Sequence, residues 1–164
     1  MHFEEIYRQN YQLVFRLANK IVRDKEVSKD ISQEIFIKLY RVLDRGMSIL
    51  NVQGWLCRIT VNHCYNHVRD SNRRQPLKIS KEAEDREITD IDEIEHEKIQ
   101  RIQRMMLRLR ENEQLVLVLY GEGMSYREIA EASGIPFNSV GKTLTRALSK
   151  LKKLCHDDEY PVHN

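Results

Sequence analysis

Residues 123–146 read GMSYREIAEASGIPFNSVGKTLTR, a stretch that predicts two short helices joined by a tight turn. Ser125 with Glu128 three residues later is the pattern of a capping box, in which each side chain pairs with a free backbone N–H group where a helix begins. Gly134 ends that helix, because glycine adopts a positive φ without steric cost, and Pro136 suits the first turn of the next helix. The stretch is therefore typical of a helix-turn-helix, which commonly binds DNA.

The second helix of this motif has Val140, Leu144, Leu148 and Leu151 at helical spacing, which predicts that its polar residues face outward. Donors and acceptors on such a face suit the phosphates and base edges of a major groove. The alternative is an ordinary helical hairpin with a solvated polar face. The candidate DNA contacts are Asn138, Ser139, Lys142, Thr143, Thr145 and Arg146.

The charge of the chain is unevenly distributed. The 164 residues carry a net charge of +2 and are 41% hydrophobic, which is enough for one domain or two small ones. Residues 1–75 hold 13 basic and 8 acidic side chains, residues 76–97 hold 3 and 9, and residues 98–153 hold 11 and 5. Two basic blocks around an acidic connector favour a polyanionic partner, since each neutralised phosphate releases counterions. Solvated helix surface is the other explanation.

The N-terminal residues have no signal-peptide pattern, and the longest apolar run, residues 115–120, is too short to cross a bilayer. Cys57, Cys64 and Cys155 form no even framework. We therefore expect a cytoplasmic protein with reduced cysteines, no membrane insertion of its own, no metal and no cofactor.

The rest of the chain predicts an all-α fold, because apolar residues recur at helical spacing and no alternating pattern predicts a strand. Residues 76–97 are acidic, lack aromatic residues and predict a mobile linker, with a helical pattern resuming near Ile94. We expect two small helical domains joined by this flexible acidic linker. The expected segments are a first domain at 1–75, the linker at 76–97, a helix-turn-helix domain at 98–154 and a tail at 155–164.

Four segments together resemble the extracytoplasmic-function (ECF) sigma factors, the smallest bacterial RNA polymerase specificity subunits of the sigma-70 family. They occur in the family's order and cover both basic blocks. The resemblance implies an alternative sigma factor that binds core RNA polymerase, recognises minus 35 and minus 10 promoter elements and assists melting. The segments are DISQEIFIKLYR at 30–41, WLCRITVN at 55–62, Leu109 with the pair Glu113 and Gln114, and MSYREIA at 124–130.

The resemblance also implies which residues act. The segment at 30–41 is similar to the helix that docks on the clamp helices of the polymerase β′ subunit, where acidic and amide groups accept hydrogen bonds from arginines. A solvated helix face is the alternative. The implied polymerase contacts are Asp30, Gln33, Glu34 and Arg41, and the helix-turn-helix domain, which the resemblance places near the β flap, supplies the six candidate minus 35 contacts given above.

Asn62 aligns with a family position where a flipped non-template base enters a protein pocket, and a side-chain amide suits one base edge there. An asparagine that caps a helix break is the rival explanation. Trp55 has two interpretations as well, base stacking or core packing. The implied minus 10 contacts are Asn62 with Arg58, Arg69, Arg73 and Arg74, the arginines following the backbone of the opened strand.

The second helix of the motif departs from the family pattern, which has a basic residue after the valine and an arginine two positions later. Gly141 stands at the first position and costs about 1 kcal/mol relative to alanine inside a helix, although it can permit close approach of the backbone to DNA. Thr143 stands at the second and cannot make a bidentate contact to guanine. The usual minus 35 preference is therefore not carried over to this chain.

Two further implications concern partners. The carboxylates between Glu82 and Glu97 can mimic RNA charge in a polymerase channel, or they form a soluble spacer. The family resemblance also implies an anti-sigma factor as a partner, which no residue pattern in the chain identifies.

Other classes of protein compete with this interpretation. The closest alternative is a helix-turn-helix regulator that binds DNA without a partner protein. A metal or redox sensor is suggested by Cys57, His63, Cys64 and His67, although small buried cysteines explain that pattern more simply. An enzyme is not expected, because the sequence has no phosphate loop or nucleophile motif.

Overall fold

The computed structural model describes residues 2–74 and 90–159, and these residues form seven helices without a strand. The predicted all-α class is confirmed. Most of the predicted linker, residues 76–89, lies outside the described residues, and the helix expected near Ile94 begins at Asp90. The helices are α1 (Phe3–Val22), α2 (Lys25–Asp44), α3 (Val52–Arg74), α4 (Asp90–Leu107), α5 (Glu111–Gly121), α6 (Tyr126–Ser133) and α7 (Phe137–Glu159).

The first three helices pack on one another around a shared apolar core. A tight corner at Arg23, which has φ 61°, joins α1 to α2. The Asp24 side chain then caps α2 by accepting a hydrogen bond from the Val27 N–H group at 3.0 Å. Both α1 and α2 lie against α3. The buried apolar side chains of this core include Ile6, Val14, Leu17, Ile35, Leu39, Leu56 and Val61.

The helices α5, α6 and α7 form a second bundle, with α4 packed on α7. Leu115, Leu119, Ile129 and Val140 are almost completely buried where these helices meet. Gln114 is also buried, and its side-chain amide donates to the Met106 carbonyl oxygen at 2.8 Å, so its burial leaves no unpaired donor there. The two helices of the helix-turn-helix, α6 and α7, therefore pack on α5 as part of this bundle.

The two bundles also contact each other, which the linker pattern does not predict. Both α5 and α6 pack on α3, and the buried apolar residues of the two bundles form one continuous cluster. Polar contacts join them as well. Lys20 Nζ donates to the Gly121 carbonyl at 2.6 Å and to the Glu122 carboxylate at 2.7 Å. Three further side chains donate to backbone carbonyls of the other bundle: Asn51 Nδ2 to Glu131 at 2.6 Å, Gln103 Nε2 to Ile21 at 2.7 Å, and the Arg58 guanidinium to Ser133.

Gly54 explains how α6 can approach α3 so closely. A Cβ atom at this position would lie 2.8 Å from the Ala132 carbonyl oxygen and 2.7 Å from Asn51 Nδ2. Real Cβ atoms are not found so close to such atoms, so a larger residue would push the two helices apart. The missing side chain is therefore a requirement of this contact between the bundles.

Candidate nucleic-acid interface

The helix-turn-helix forms as the sequence predicts. The Ser125 hydroxyl accepts from the Glu128 N–H group at 3.3 Å, and the Glu128 carboxylate accepts from the Ser125 N–H group at 2.7 Å. Gly134 has φ 70°, and its N–H group donates to the Ala130 carbonyl at 2.9 Å, which closes α6. The capping box and the glycine turn are confirmed, and α7 follows α6 as the second helix of the motif, the position of the recognition helix in a helix-turn-helix.

The outward side of α7 carries the six predicted DNA contacts. Its inner side buries Val140, Leu144 and Ala147, whereas Leu148, which the spacing placed inside, is 48% exposed. We call the outward set the reading face. Its members Asn138, Lys142, Thr145 and Arg146 are exposed, and Ser139 and Thr143 are half-buried.

Hydrogen bonding limits what the reading face can offer to a base. The Thr143 hydroxyl donates to the Ser139 carbonyl, and the Thr145 hydroxyl donates to the Gly141 carbonyl, both at 2.9 Å. These hydroxyl protons are thus used within the helix, and the two oxygens remain as acceptors. The strong free donors on this face are Lys142 and Arg146.

Gly141 faces another side chain of the motif. A Cβ atom there would lie 3.3 Å from Cε2 of the Tyr126 ring, so the absence of a side chain leaves room for the ring beside the recognition helix. Tyr126 is itself 42% exposed and lies 6.5 Å, centroid to centroid, from the ring of Tyr120. An aromatic edge therefore borders the reading face, and sequence reasoning missed it because the contact joins two different helices.

The candidate minus 10 residues lie along α3. Arg58, Asn62, Arg69 and Arg73 recur at spacings of four, seven and four residues, so they share one side of the helix. Asn62 is half-buried inside a continuous α3, far from either end, and therefore does not cap a helix break. The rival explanation for this asparagine is wrong.

The arginines of α3 differ in their partners. Arg58 donates to the Ser133 carbonyl in the turn of the helix-turn-helix, and Arg69 donates to the Asn66 side chain at 2.9 Å. Arg73 and Arg74 are exposed in the last turn. Trp55 is half-buried and packs against the apolar core, which favours the core interpretation of this residue.

The predicted polymerase contacts Asp30, Gln33, Glu34 and Arg41 are all exposed on one side of α2. A contact that sequence reasoning missed joins this side to α3, where His63 Nε2 lies 3.0 Å from the Glu34 carboxylate. Lys38 Nζ lies 2.9 Å from His63 Nδ1. Only the folded structure reveals these two contacts of His63, since no local sequence pattern links residues so far apart in the chain.

Burial and the two partners together set the protonation of His63. Burial lowers the pKa of His63 by disfavouring the charged imidazole, and the Lys38 charge lowers it further, while Glu34 acts in the opposite direction. The net pKa lies below the ordinary value. A neutral imidazole then accepts from Lys38 at Nδ1 and donates to Glu34 from Nε2.

The cysteines of α3 do not form a reactive or metal-binding group. Burial raises the pKa of Cys57 to about 11 and that of Cys64 to about 12, so both remain protonated thiols within the core. Across residues 2–74 and 90–159, no three His, Cys, Asp or Glu side chains are grouped so that they could hold a metal ion. Within the same ranges, no helix has the length and apolar character needed to cross a membrane.

Comparison with known proteins assigns both bundles to one family. Residues 6–74 match Sigma-70 region 2, and residues 99–151 match Sigma-70, region 4. The RNA polymerase sigma factor YlaC of Bacillus subtilis is 31% identical over 156 residues, which span 92% of this chain and 90% of the relative. The ECF RNA polymerase sigma-E factor of Haemophilus influenzae is 32% identical over 153 residues, spanning 82% and 81%.

A solved structure has a similar fold. It is the sigma factor RpoE of Bartonella quintana in complex with the anti-sigma factor NepR, which is 18% identical, covers 95% of this chain and 98% of its own, and has a TM-score of 0.52.

The chain therefore belongs to the RNA polymerase sigma factors. Within that family it is an alternative sigma factor of the ECF type, which directs transcription initiation.

Proposed function

We propose that this sigma factor reads a bipartite promoter with two separate helices, α7 at the minus 35 element and α3 at the minus 10 element. The observation that carries the proposal is that each bundle exposes one basic, polar helix side, the reading face on α7 and the stripe from Arg58 to Arg73 on α3. Basic helix sides neutralise phosphates, and the polar groups between them contact bases.

At the minus 35 element, Lys142 and Arg146 act as the principal donors to base edges and phosphates. The hydroxyl oxygens of Thr143 and Thr145 act as acceptors, because their protons are used within α7. Asn138 and Ser139 lie in the first turn of α7 and contact the phosphates. This combination differs from an arginine-based guanine contact, so we expect a minus 35 preference particular to this chain.

At the minus 10 element, Asn62 contacts the flipped non-template base through its amide. Its half-buried position on α3 suits a pocket, since a partly desolvated amide pairs more strongly with a base edge. Arg58, Arg69, Arg73 and Arg74 support the separated strand by contacting successive phosphates.

Core RNA polymerase is the first partner, and the exposed side of α2 docks on the clamp helices of its β′ subunit. Asp30, Gln33 and Glu34 offer acceptors there, and Arg41 offers a donor. The second bundle contacts the β flap. Since the RpoE structure contains an anti-sigma factor, we propose that this chain also has an anti-sigma partner.

Reading both elements at once requires the two bundles to separate. The elements lie about 25 base pairs apart by their names, which is roughly 85 Å of duplex at the usual rise. Arg58 on α3 and Ser133 beside α7 are in direct contact here. The packed arrangement therefore corresponds to a chain that is not engaged with both promoter elements.

In vitro transcription with core polymerase over a promoter library tests the proposed function. We expect the chain to direct initiation at promoters that share a minus 35 and a minus 10 element. If it binds duplex promoter DNA tightly without polymerase, and polymerase adds nothing, it is instead a regulator that acts alone.

A further inference from the structure

A cavity of about 410 Å³ lies between the start of α5 and the recognition helix. It opens beside the Arg146 end of the reading face. Two of its lining residues, Thr143 and Arg146, are predicted minus 35 contacts, and the other four belong to none of the predicted contact sets. When a recognition helix enters a major groove, neighbouring surfaces come close to the DNA backbone. The cavity is lined by Arg110, Glu111, Asn112, Glu113, Thr143 and Arg146.

The charge of Glu113 is neutralised inside the protein. Lys150 Nζ lies 2.6 and 2.8 Å from its two carboxylate oxygens, and the Arg110 backbone N–H group donates to it at 3.0 Å. Its side chain is only 8% exposed. The Arg110 charge also lowers the pKa of Glu113, although it forms no ion pair with that carboxylate. Besides Glu113, the charged groups that line the cavity are the guanidinium groups of Arg110 and Arg146 and the Glu111 carboxylate.

The donors around the cavity are available to a ligand. Neither guanidinium group forms a hydrogen bond or an ion pair with another side chain of the part of the chain that the structure describes. The Asn112 amide is exposed at the same rim. Thr143 contributes a short side chain whose hydroxyl proton already binds the Ser139 carbonyl, so it leaves space rather than a donor. Two arginines and an amide around an open space match the oxygens of a phosphate.

We propose that this cavity binds a backbone phosphate of the minus 35 duplex, held between Arg110 and Arg146. Arg110 is thereby a DNA contact outside the helix-turn-helix, and it fixes the register of α7 without reading a base. Glu111 opposes the contact through its negative charge. This inference rests on the proposed function, since it requires that α7 binds duplex DNA.

Binding of promoter DNA by the complete chain in complex with core polymerase tests the site. The probes are a promoter fragment selected by the wild-type complex and fragments with single changes in its minus 35 element, each titrated at several salt concentrations. For Arg110→Ala we expect several-fold weaker binding to every fragment. We also expect the slope of log affinity against log salt concentration to be shallower by about 0.9. Arg110→Lys retains the slope because it retains the charge. Glu111→Gln binds more tightly because it removes a charge that repels the phosphate.

The matched control is Arg108→Ala, which removes an exposed arginine two residues away that does not line the cavity. It should change neither affinity nor slope. The proposal fails if Arg110→Ala behaves like this control, or if it weakens binding only for particular minus 35 sequences. If the wild-type complex itself fails to bind promoter DNA, the proposed function fails and this site fails with it.

Discussion

At the scale of single residues, two helical glycines have different surroundings. A Cβ atom at Gly54 would meet backbone atoms of α6, whereas one at Gly141 would meet only the half-exposed ring edge of Tyr126. A flexible ring edge can move by a few tenths of an ångström, but a packed backbone carbonyl cannot do so without moving its helix. The same substitution therefore has opposite consequences at the two sites.

We predict that Gly141→Ala raises the free energy of unfolding by about 0.5 to 1 kcal/mol, because alanine is the better helix former. Gly54→Ala should lower stability and weaken the contact between the bundles, because the new methyl group clashes with the Ala132 carbonyl. Urea unfolding of both variants measures the difference. A loss of stability for Gly141→Ala would mean that the Tyr126 ring cannot move.

Asn62 provides a second prediction at this scale. Asn62→Ala should reduce discrimination at one minus 10 position by roughly tenfold to a hundredfold, the usual value of a good amide contact to a base. Affinity for core polymerase should remain unchanged, since α2 carries that surface. Strand opening can be followed with a fluorescent base analogue at the melted position. An equal loss of polymerase affinity would instead assign this asparagine a role in folding.

At the scale of elements, the recognition helix is fixed to α5 by a buried carboxylate. Burial alone raises the pKa of Glu113, but hydrogen bonds from Lys150 and from the Arg110 backbone outweigh it, so the net pKa lies below the ordinary 4.5. A carboxyl group with a depressed folded pKa stabilises the fold above its unfolded pKa. That contribution is lost as the pH falls through the folded value.

We therefore predict that the thermal unfolding midpoint declines as the pH falls below about 4.5, with Glu113 as one cause. Glu113→Gln should be less stable at neutral pH and should lose part of this decline. Glu111→Gln is the control, because that exposed carboxylate makes no ion pair with a described residue. Calorimetry across the pH range makes the comparison. Equal pH profiles for Glu113→Gln and wild type would contradict the assignment.

At the scale of the whole molecule, ion pairs at the edge of α5 contribute to the contact between the bundles. Glu122 accepts from Lys20 Nζ at 2.7 Å and from Arg16 Nε at 3.3 Å. Such partly exposed pairs contribute up to about 1 kcal/mol each, which corresponds to roughly a fivefold change in an equilibrium between packed and separated bundles. The remaining contacts are the continuous apolar cluster, hydrogen bonds to backbone carbonyls, and the close approach at Gly54.

We predict that Glu122→Gln increases the mean radius of gyration of the free chain, and that salt increases it in the wild type by screening the same pairs. Small-angle scattering measures both effects. Glu131→Gln is the matched control, since this exposed carboxylate on α6 makes no ion pair among the described residues while its backbone carbonyl accepts from Asn51. An unchanged radius for Glu122→Gln would show that the apolar contact alone holds the bundles.

Local interactions explain what could be predicted from the sequence. The capping box at Ser125 and the glycine turn at Gly134 depend on residues within a few turns of one another, so their spacing is visible in the sequence. The same holds for the all-α class and for the family, since four local segments in order identify a sigma factor. The reading face followed from helical spacing, whereas the residues proposed to contact polymerase and the minus 10 element came from the family resemblance.

Contacts between distant residues required the tertiary structure. The ring of Tyr126 against Gly141, the pair of His63 and Glu34, and the contact of Arg58 with the turn after α6 join separate helices. Which helices meet depends on how whole apolar faces pack, and a side chain's partner is then fixed by that packing rather than by its neighbours in sequence. The sequence by itself therefore determined the helices, the motif and the family. Only the packing of those helices determined that the two bundles touch, and that Arg110 lies beside the recognition helix.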